Sequence, residues 1–357
     1  MKNKITAIIF FAFIFGFSLL CLILPKSDFS DSERRVLAAF PEATAERIFG
    51  GGFADGFEVY ATDGFPFRDL FRSFKAYASK NVFFLSDNNK LYMKDGHLSK
   101  LEYPLNVPML ENAAGKFSSI YEKYLSGKTD NIYHSIIPDK NYFLGNLKLD
   151  YDALVGFMNE NMEYSDYIDI FPLLSAEDYY KTDSHWRQER ISDVAKAIAG
   201  GLGVDISAKF EVNELESPFS GVYVGQSALN VAPDKIYYIS NNILDGASAK
   251  SAETGNAKLY DFEKAESRDP YEFFLAGNQS LMTVTNPNAK SDRRLIIFRD
   301  SFASSLAHYL IPGYNEIVLV DIRYIASDML GSFVDFENAD VLFLYSASML
   351  NASTAFK

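Results

Sequence analysis

The chain has few of the residues that build disulfides, metal centres or phosphate-binding surfaces. Its 357 residues include a single cysteine, Cys21, which excludes an internal disulfide and a cysteine-based metal site. The four histidines are His97, His134, His185 and His308, too few for a histidine-rich metal site. Lysine and arginine number 34 against 47 acidic residues, and the resulting net charge of −13 argues against a nucleic acid as partner. We therefore expect neither a metal nor a nucleic acid in the function.

Apolar and aromatic residues are abundant. Hydrophobic residues make up 48% of the chain and aromatic residues 15%, which is typical of a folded protein rather than a disordered one. At this length we expect one large domain with additions, or two smaller domains.

The segment Ile5–Leu24 contains no charged residue and is dominated by Phe, Ile and Leu. An α-helix of this length extends about 30 Å, enough to cross the hydrocarbon core of a bilayer. Residues 24–27 offer no clear cleavage site, so we interpret residues 1–25 as a cytoplasmic tip and an uncleaved signal anchor. Basic residues precede the segment and acidic residues follow it (Lys2, Lys4, Asp28, Asp31 and Glu33). The protein is therefore predicted to cross the cell membrane once, with the remaining chain outside the cytoplasm.

Residues 26–110 form an N-terminal arm with a mixed pattern. An amphipathic helix is predicted over 57–82, interrupted at 64–69, and a strand over 91–93. His97 follows a turn glycine and is predicted to be a surface residue. Cys21 lacks a small residue immediately before it, so we do not expect lipidation there. Nothing in the arm alone indicates chemistry.

Strands and helices alternate in two later stretches, which predicts an α/β domain over 111–357 with a parallel sheet flanked by helices. The first stretch consists of a helix around 117–124, a strand at 131–137, a helix at 151–162 and a strand at 167–170. The second consists of strand 295–298, a helix to Leu310, strand 316–320, a helical segment at 328–336 and strand 341–345. Between the two stretches, residues 204–290 are rich in Ser, Asn, Ala and Gly and are interpreted as an insertion.

Ser301 follows the apolar run Leu295–Phe298 and precedes a helical pattern. A serine at the end of a strand and the start of a helix can act as a nucleophile, because the helix start stabilises a developing oxyanion. The alternative is that Asp300 or Ser301 only caps the helix. A nucleophilic role requires a base close by.

Asp183 and His185 are two residues apart. In an extended segment their side chains project to the same side, so the carboxylate can hold the imidazole. A surface turn is the alternative. His308 is a competing base, but it lies about 10 Å beyond Ser301 along a helix, too far for a hydrogen bond. We therefore favour His185 as the partner of Ser301.

Several motifs occur in an order and spacing that resemble a DHHW-family protein over nearly the whole chain outside the anchor. They are Ser32-Glu33-Arg34-Arg35, Phe65-Pro66-Phe67-Arg68, Pro138-Asp139-Lys140, Thr182-Asp183-Ser184-His185-Trp186, Gly277-Asn278 and Arg299-Asp300-Ser301-Phe302. That family is similar to the SGNH-like acetyltransferase domains of the alginate O-acetylation proteins. The resemblance implies a circularly permuted SGNH hydrolase fold, with Ser301 as nucleophile, His185 as general base and Asp183 as its orienting carboxylate.

The sequence departs from the family pattern at two positions. Ser184 replaces the histidine of the family name and is expected to point away from its catalytic neighbours. Arg299 replaces the glycine of the usual Gly-Asp-Ser block and so affects the oxyanion geometry.

Other residues are candidates for oxyanion or substrate binding. Asn278 could donate to an oxyanion, although a turn-forming role is the alternative. Arg299, Tyr324 and Lys140 are placed near strand ends, where sites of α/β sheets form. Asp321 and Arg323 line the site or form a structural pair. Trp186 is expected to anchor the core rather than stack on a sugar.

The leading interpretation is a membrane-anchored O-acyltransferase, most plausibly an O-acetyltransferase, that modifies a cell-surface or exported polysaccharide. An SGNH-type esterase that passes the same acyl group to water is the first alternative. A non-catalytic surface-assembly or glycan-binding protein is the second. No Gly-rich phosphate-binding loop is evident, so no cofactor is expected, and the resemblance implies a membrane-bound acyl-transfer partner instead.

Overall fold

The computed structural model describes residues 2–145, 147–289 and 291–357. They fall into two compact units, one made of residues up to 89 with 224–231, the other of residues 90–223 with 232–357. Met1, in the predicted cytoplasmic tip, and Lys290, at the predicted end of the insertion, lie outside the described residues.

The smaller unit begins with helix α1 (Lys2–Ile23), which covers the predicted anchor. Its stretch Lys4–Cys21 is exposed and long and apolar enough to cross a membrane. The remaining elements of this unit are short strands β1 (Phe29–Ser30) and β2 (Arg35–Val36), and helices α2 (Ala45–Phe49), α3 (Gly52–Asp63) and α4 (Arg68–Asn81). The interruption predicted at 64–69 separates α3 from α4, as a Gly and a Pro dictate.

Two of the motifs of the arm meet in an ion-pair cluster within the smaller unit. The carboxylate of Glu33 lies 2.6 Å from Arg68, 3.1 Å from Arg72 and 3.2 Å from Arg35. Arg35 also makes two hydrogen bonds to the buried carboxylate of Asp63. The hydrogen bonds from Arg35 lower the pKa of Asp63 to about 2. The cluster therefore gives these motifs a structural role.

The larger unit contains most of the regular structure. Its elements in chain order are β3 (Leu91–Lys94), β4 (His97–Lys100), α5 (Val107–Ile120), β5 (Ile132–Ile137), α6 (Lys140–Leu144), α7 (Tyr151–Asn161), β6 (Asp166–Tyr167), α8 (Ser192–Gly201), β7 (Glu211–Phe219), β8 (Asp234–Ser240), α10 (Asn242–Gly246), β9 (Ser248–Ser251), β10 (Gly255–Ala257), β11 (Leu281–Thr285), β12 (Arg294–Arg299), α11 (Ala303–Leu310), β13 (Glu316–Val320), β14 (Asp340–Ser346) and α12 (Ala347–Leu350). Helix α9 (Val222–Ser227) has residues in both units.

Eight strands form one sheet in the order β10-β9-β11-β13-β12-β14-β5-β6. The pairs from β13 to β6 are parallel, whereas β10, β9 and β11 pair antiparallel at the other edge. The predicted α/β fold with a mostly parallel sheet is confirmed. The antiparallel edge comes from the segment interpreted as an insertion.

Side chains of the central strands alternate between two hydrophobic cores. Leu295 and Ile297 pack on the side of helices α8 and α11, and Ile296 and Phe298 on the side of α5 and α7. All four side chains are fully buried, as expected for a strand covered on both faces.

Some elements differ from their predictions. The strand predicted at 167–170 has only two residues, and the helical segment predicted at 328–336 is a 3₁₀ turn over Ser327–Ser332.

His97 is fully buried, not a surface residue, because β4 directs it inward, where Nε2 lies 3.4 Å from Glu177. Burial lowers its pKa.

Candidate active site

Ser301 lies directly after β12, at the carboxyl edge of the sheet. Its Oγ is 2.7 Å from Nε2 of His185. Helix α11 begins at Ala303 with Phe302 at the N-cap, a residue with no polar side chain. The hydroxyl of Ser301 therefore contacts an imidazole instead of capping the helix, and the capping alternative does not describe this serine.

Asp300 fixes the turn that carries Ser301. Its buried carboxylate accepts hydrogen bonds from the backbone N–H of Phe302 at 3.1 Å and of Ser346 at 2.8 Å. These bonds tie the start of α11 to the end of the neighbouring strand β14. The aspartate beside the serine thus orients the backbone, while its own carboxylate is fully engaged.

The carboxylate of Asp183 holds the other side of His185. Its Oδ1 lies 2.6 Å from Nδ1 of His185 and accepts the backbone N–H of His185 at 3.1 Å. Its Oδ2 accepts the backbone N–H of Val222 at 2.9 Å. Ser301, His185 and Asp183 therefore form one continuous chain of hydrogen bonds.

Asp183 is 1% exposed, yet it remains ionised. Burial by itself would raise its pKa, but the adjacent His185 and the N–H groups of Val222 and His185 outweigh that effect and hold the pKa well below its usual range. An ionised carboxylate at Nδ1 favours the tautomer in which Nδ1 carries the proton. Nε2 is then free to accept the hydroxyl proton of Ser301.

The pairing of Asp183 with His185 was predicted, but the predicted extended segment is a tight loop. Tyr179 and Trp186 pair across it, and the N–H of Tyr180 donates to the carbonyl of His185 at 3.0 Å. The carboxylate of Asp183 reaches the imidazole of His185 because it also accepts the backbone N–H of His185, which makes an Asx turn. Ser184 does not point away, since its hydroxyl makes a long hydrogen bond of 3.4 Å to Asp183. The loop geometry, rather than strand alternation, brings these groups together.

Aromatic rings support the imidazole from behind. The ring of Tyr271 stacks on His185 with centroids 3.8 Å apart. Its hydroxyl hydrogen-bonds Ser305, as does the indole N–H of the fully buried Trp186, each at 2.9 Å. Trp186 is therefore a core anchor, as expected. Tyr271 was not predicted from the sequence, because no local signal distinguishes it from other tyrosines.

Lys140 lies beneath the loop that carries Asp183. Its Nζ donates to the carbonyls of Tyr180 at 2.8 Å and Lys181 at 3.3 Å, and its side chain is only 3% exposed. Burial lowers the pKa of Lys140 to about 7, against the opposing pull of Asp183 and Asp234. Lys140 was a candidate for substrate binding, but its position is that of a support for the loop.

Arg299 is also inside the protein. Its guanidinium donates to Ser304 Oγ at 3.1 Å and to the carbonyls of Asp300 and Gln279 at 3.4 Å. Burial lowers its pKa, while the nearby Asp321 opposes this. Arg299 is thus fully covered, and its side chain is not accessible to a substrate.

Asn278 and Tyr324 are exposed. Asn278 follows three residues with left-handed backbone, Leu275, Ala276 and Gly277. Within the described ranges, neither Asn278 nor Tyr324 forms a hydrogen bond with Ser301. Their predicted roles in oxyanion or substrate binding stay predictions.

Asp321 and Arg323, by contrast, are joined by two short hydrogen bonds of 2.8 and 2.5 Å, which favours the structural pair.

His308, the competing base, is occupied elsewhere. It is fully buried, its Nε2 lies 3.0 Å from the carbonyl of Leu259, and its ring stacks on Tyr260. Burial lowers the pKa of His308 to about 4. His185 is therefore the imidazole that Ser301 contacts.

The arrangement combines a partly exposed hydroxyl, an imidazole that can accept its proton and an ionised carboxylate behind the imidazole. This set can carry an acyl group as an ester. Among the described residues, no three or more His, Cys, Asp or Glu side chains are grouped to hold a metal ion.

Solved structures resemble this chain in fold. A DHHW family protein of Eubacterium siraeum has a TM-score of 0.62 and 20% sequence identity, with 75% of this chain and 94% of that chain covered. Bacillus cereus PatB1 with a sulfonyl adduct has a TM-score of 0.58 and 15% identity, covering 73% and 95%. A second structure of PatB1 has a TM-score of 0.55 and 14% identity, covering 73% and 96%. No family model and no curated protein matches the chain.

At these identities the likeness establishes the fold. The likeness in fold to a DHHW family protein agrees with the resemblance read from the short motifs.

Proposed function

We propose that the chain is a membrane-anchored O-acyltransferase that transfers an acyl group, namely acetyl, to a hydroxyl of a cell-surface or exported polysaccharide. The observation that carries this proposal is the hydrogen-bonded chain from Ser301 through His185 to Asp183 at the carboxyl edge of the sheet. The acyl group would come from a membrane-bound partner.

In the first half of the reaction, Ser301 Oγ attacks the carbonyl carbon of the acyl donor. His185 Nε2 takes the hydroxyl proton and returns it to the leaving group as the donor's ester bond breaks. Asp183 stabilises the imidazolium that forms in between. Helix α11 begins two residues after Ser301, so its positive end can stabilise the developing oxyanion. The product is an ester on Ser301.

In the second half, a sugar hydroxyl attacks the ester on Ser301. His185 removes the proton of that hydroxyl and delivers it to Ser301 Oγ as the acyl bond to the serine breaks. The sugar leaves as its ester, and the starting protonation state is restored. Water in place of the sugar would make the same chemistry an esterase reaction, so the choice of acceptor decides the activity.

A sulfonyl reagent tests whether Ser301 is nucleophilic, and PatB1, which shares the fold, carries a sulfonyl adduct. Full-length protein in detergent is treated with phenylmethylsulfonyl fluoride, digested and mapped by mass spectrometry. We expect the adduct on Ser301 and its loss in Ser301→Ala. Ser304 and Ser305 are internal controls, because both are buried and should stay unlabelled. An adduct that persists in Ser301→Ala would contradict the proposal.

The acceptor is tested separately with an activated acetyl ester and candidate glycans. Acetylated glycan supports transfer, and free acetate at an unchanged rate with every glycan supports the esterase. Absence of both products, together with an unlabelled Ser301, would favour a surface-assembly or glycan-binding protein.

A further inference from the structure

Helix α4 presents an apolar face outward. Five of its large apolar side chains, counting Phe67 at the N-cap, are between 41% and 70% exposed. They are Phe67, Leu70, Phe71, Phe74 and Tyr77. Their spacing of three and four residues places them on one side of the helix.

Two arginines of α4 face the protein. The side chains of Arg68 and Arg72 are only 16% and 14% exposed and bind Glu33 in the ion-pair cluster. The two buried residues of the helix, Ala76 and Ser79, lie on the same side as these arginines. A surface helix of a soluble protein has the opposite orientation, with its apolar side against the core. Helix α4 is therefore inverted.

The apolar surface extends beyond the helix in both directions. After α4, the residues Val82, Phe83, Phe84 and Leu85 are all more than half exposed. At its start, Phe71 and Phe65 contact Phe17 of helix α1, with ring centroids 5.9 and 5.4 Å from Phe17. The exposed face of α4 is thus continuous with the helix that is apolar enough to cross a membrane.

We propose that α4 and residues 82–85 lie in the interface of the bilayer that α1 crosses, with the apolar face among the acyl chains. This inference rests on the proposed insertion of α1 and adds a second membrane contact to it. A bilayer fits the face because its surface joins that of α1 without a break, and because Lys75 and Lys80 flank the apolar side where lipid phosphates would lie. The contact restrains how far the smaller unit can move from the membrane surface.

Nitroxide labels on single cysteines test the depth of each face. In a Cys21→Ser background, Phe74→Cys reports the apolar side, and Ser73→Cys is the matched control one residue away on the flank. The full-length variants are reconstituted in vesicles of phosphatidylethanolamine and phosphatidylglycerol. Melting temperatures equal to that of the parent confirm that both variants are folded.

We expect the label at Phe74→Cys to collide often with oxygen, which partitions into lipid, and rarely with an aqueous nickel chelate. The label at Ser73→Cys should show the reverse. Equal access of the chelate to both labels would overturn the proposal. Protection of Phe74→Cys from both reagents would also overturn it, and spin–spin broadening would then identify a second copy as the cover. A label on native Cys21 tests the insertion of α1 on its own, so failure of the anchor and failure of this inference are distinguishable.

Discussion

The imidazole of His185 lies flat against the phenol ring of Tyr271, with ring centroids 3.8 Å apart and planes inclined by 10°. The phenol hydroxyl is in turn hydrogen-bonded to Ser305, the third residue of helix α11. The orientation of His185 is therefore set from one side by Asp183 and from another by an aromatic ring fixed to the helix that follows Ser301.

Tyr271 is expected to act as a positioning residue. The variant Tyr271→Phe keeps the ring, so a sulfonyl fluoride should label its Ser301 at nearly the parent rate. The variant Tyr271→Leu loses the stack on His185. Labelling of Ser301 should then be up to about tenfold slower, because an aromatic pair contributes about 0.5–1.5 kcal/mol. The rate of adduct formation is measured beside the melting temperature. Equal rates in the two variants, both stably folded, would mean that the stack does not orient His185.

The strand before Ser301 was predictable because its residues are apolar on both faces and the following helix has its own periodicity. Strand β13 was predicted with its observed ends, Glu316 and Val320, for the same reason. The antiparallel edge was not predicted in detail. Strands β9 and β10 are short and polar, with Ser248, Lys250 and Asn256 among their residues, and such short strands carry little hydrophobic pattern.

The candidate site was predictable where the chemistry depends on residues close in sequence. Asp183 and His185 are neighbours in the chain, and their pairing survives although the local backbone is a loop. Tyr271 reaches His185 through the tertiary fold, which no spacing indicates. Lys140 and Arg299 are buried, and each donates to a carbonyl oxygen distant in the chain, which the sequence does not indicate.

Removing His185, or the charge of the carboxylate that holds it, should suppress acyl chemistry at Ser301. His185→Ala should abolish labelling of Ser301, and Asp183→Asn should lower its rate by on the order of 10⁴, as in the serine-protease precedent, because it favours the wrong tautomer.

His308→Ala is the matched control for these variants. This substitution removes a buried imidazole that has its own partners, so we expect lower stability but labelling at nearly the parent rate. If His308→Ala loses labelling while His185→Ala retains it, the base has been assigned to the wrong histidine.

The proposed membrane anchor leads to a separate prediction about extraction of the protein from membranes. Full-length protein should remain with membranes after a high-salt wash and after carbonate, because helix α1 is long enough to cross the hydrocarbon core. A variant that starts at Lys26 should be extracted by carbonate. Full-length protein released by carbonate, or a mature N-terminus beyond Leu24, would show that the anchor was misinterpreted.

Asp139 should make stability depend on pH near neutrality. It follows strand β5 and is buried, and its carboxyl group accepts hydrogen bonds from the hydroxyl of Tyr151 at 2.7 Å and the N–H of Asn141 at 2.8 Å. Burial raises its pKa from 3.8 to about 7, and the hydrogen bonds offset only part of that effect. At a pH between 3.8 and about 7, Asp139 is therefore protonated in the folded chain and ionised in the unfolded chain.

Stabilisation by Asp139 is therefore full below pH 3.8 and is lost as the pH rises through about 7. Asp139→Asn stays neutral at every pH, so the free energy of unfolding of the parent should fall relative to this variant by a few kcal/mol across that range, at about 1.4 kcal/mol per pKa unit. Denaturant unfolding of both proteins in detergent, followed at several pH values from 4 to about 8, measures the difference. Parallel pH profiles for the two proteins would mean that Asp139 is ionised in the folded state throughout, and the burial argument for this carboxyl group would then be wrong.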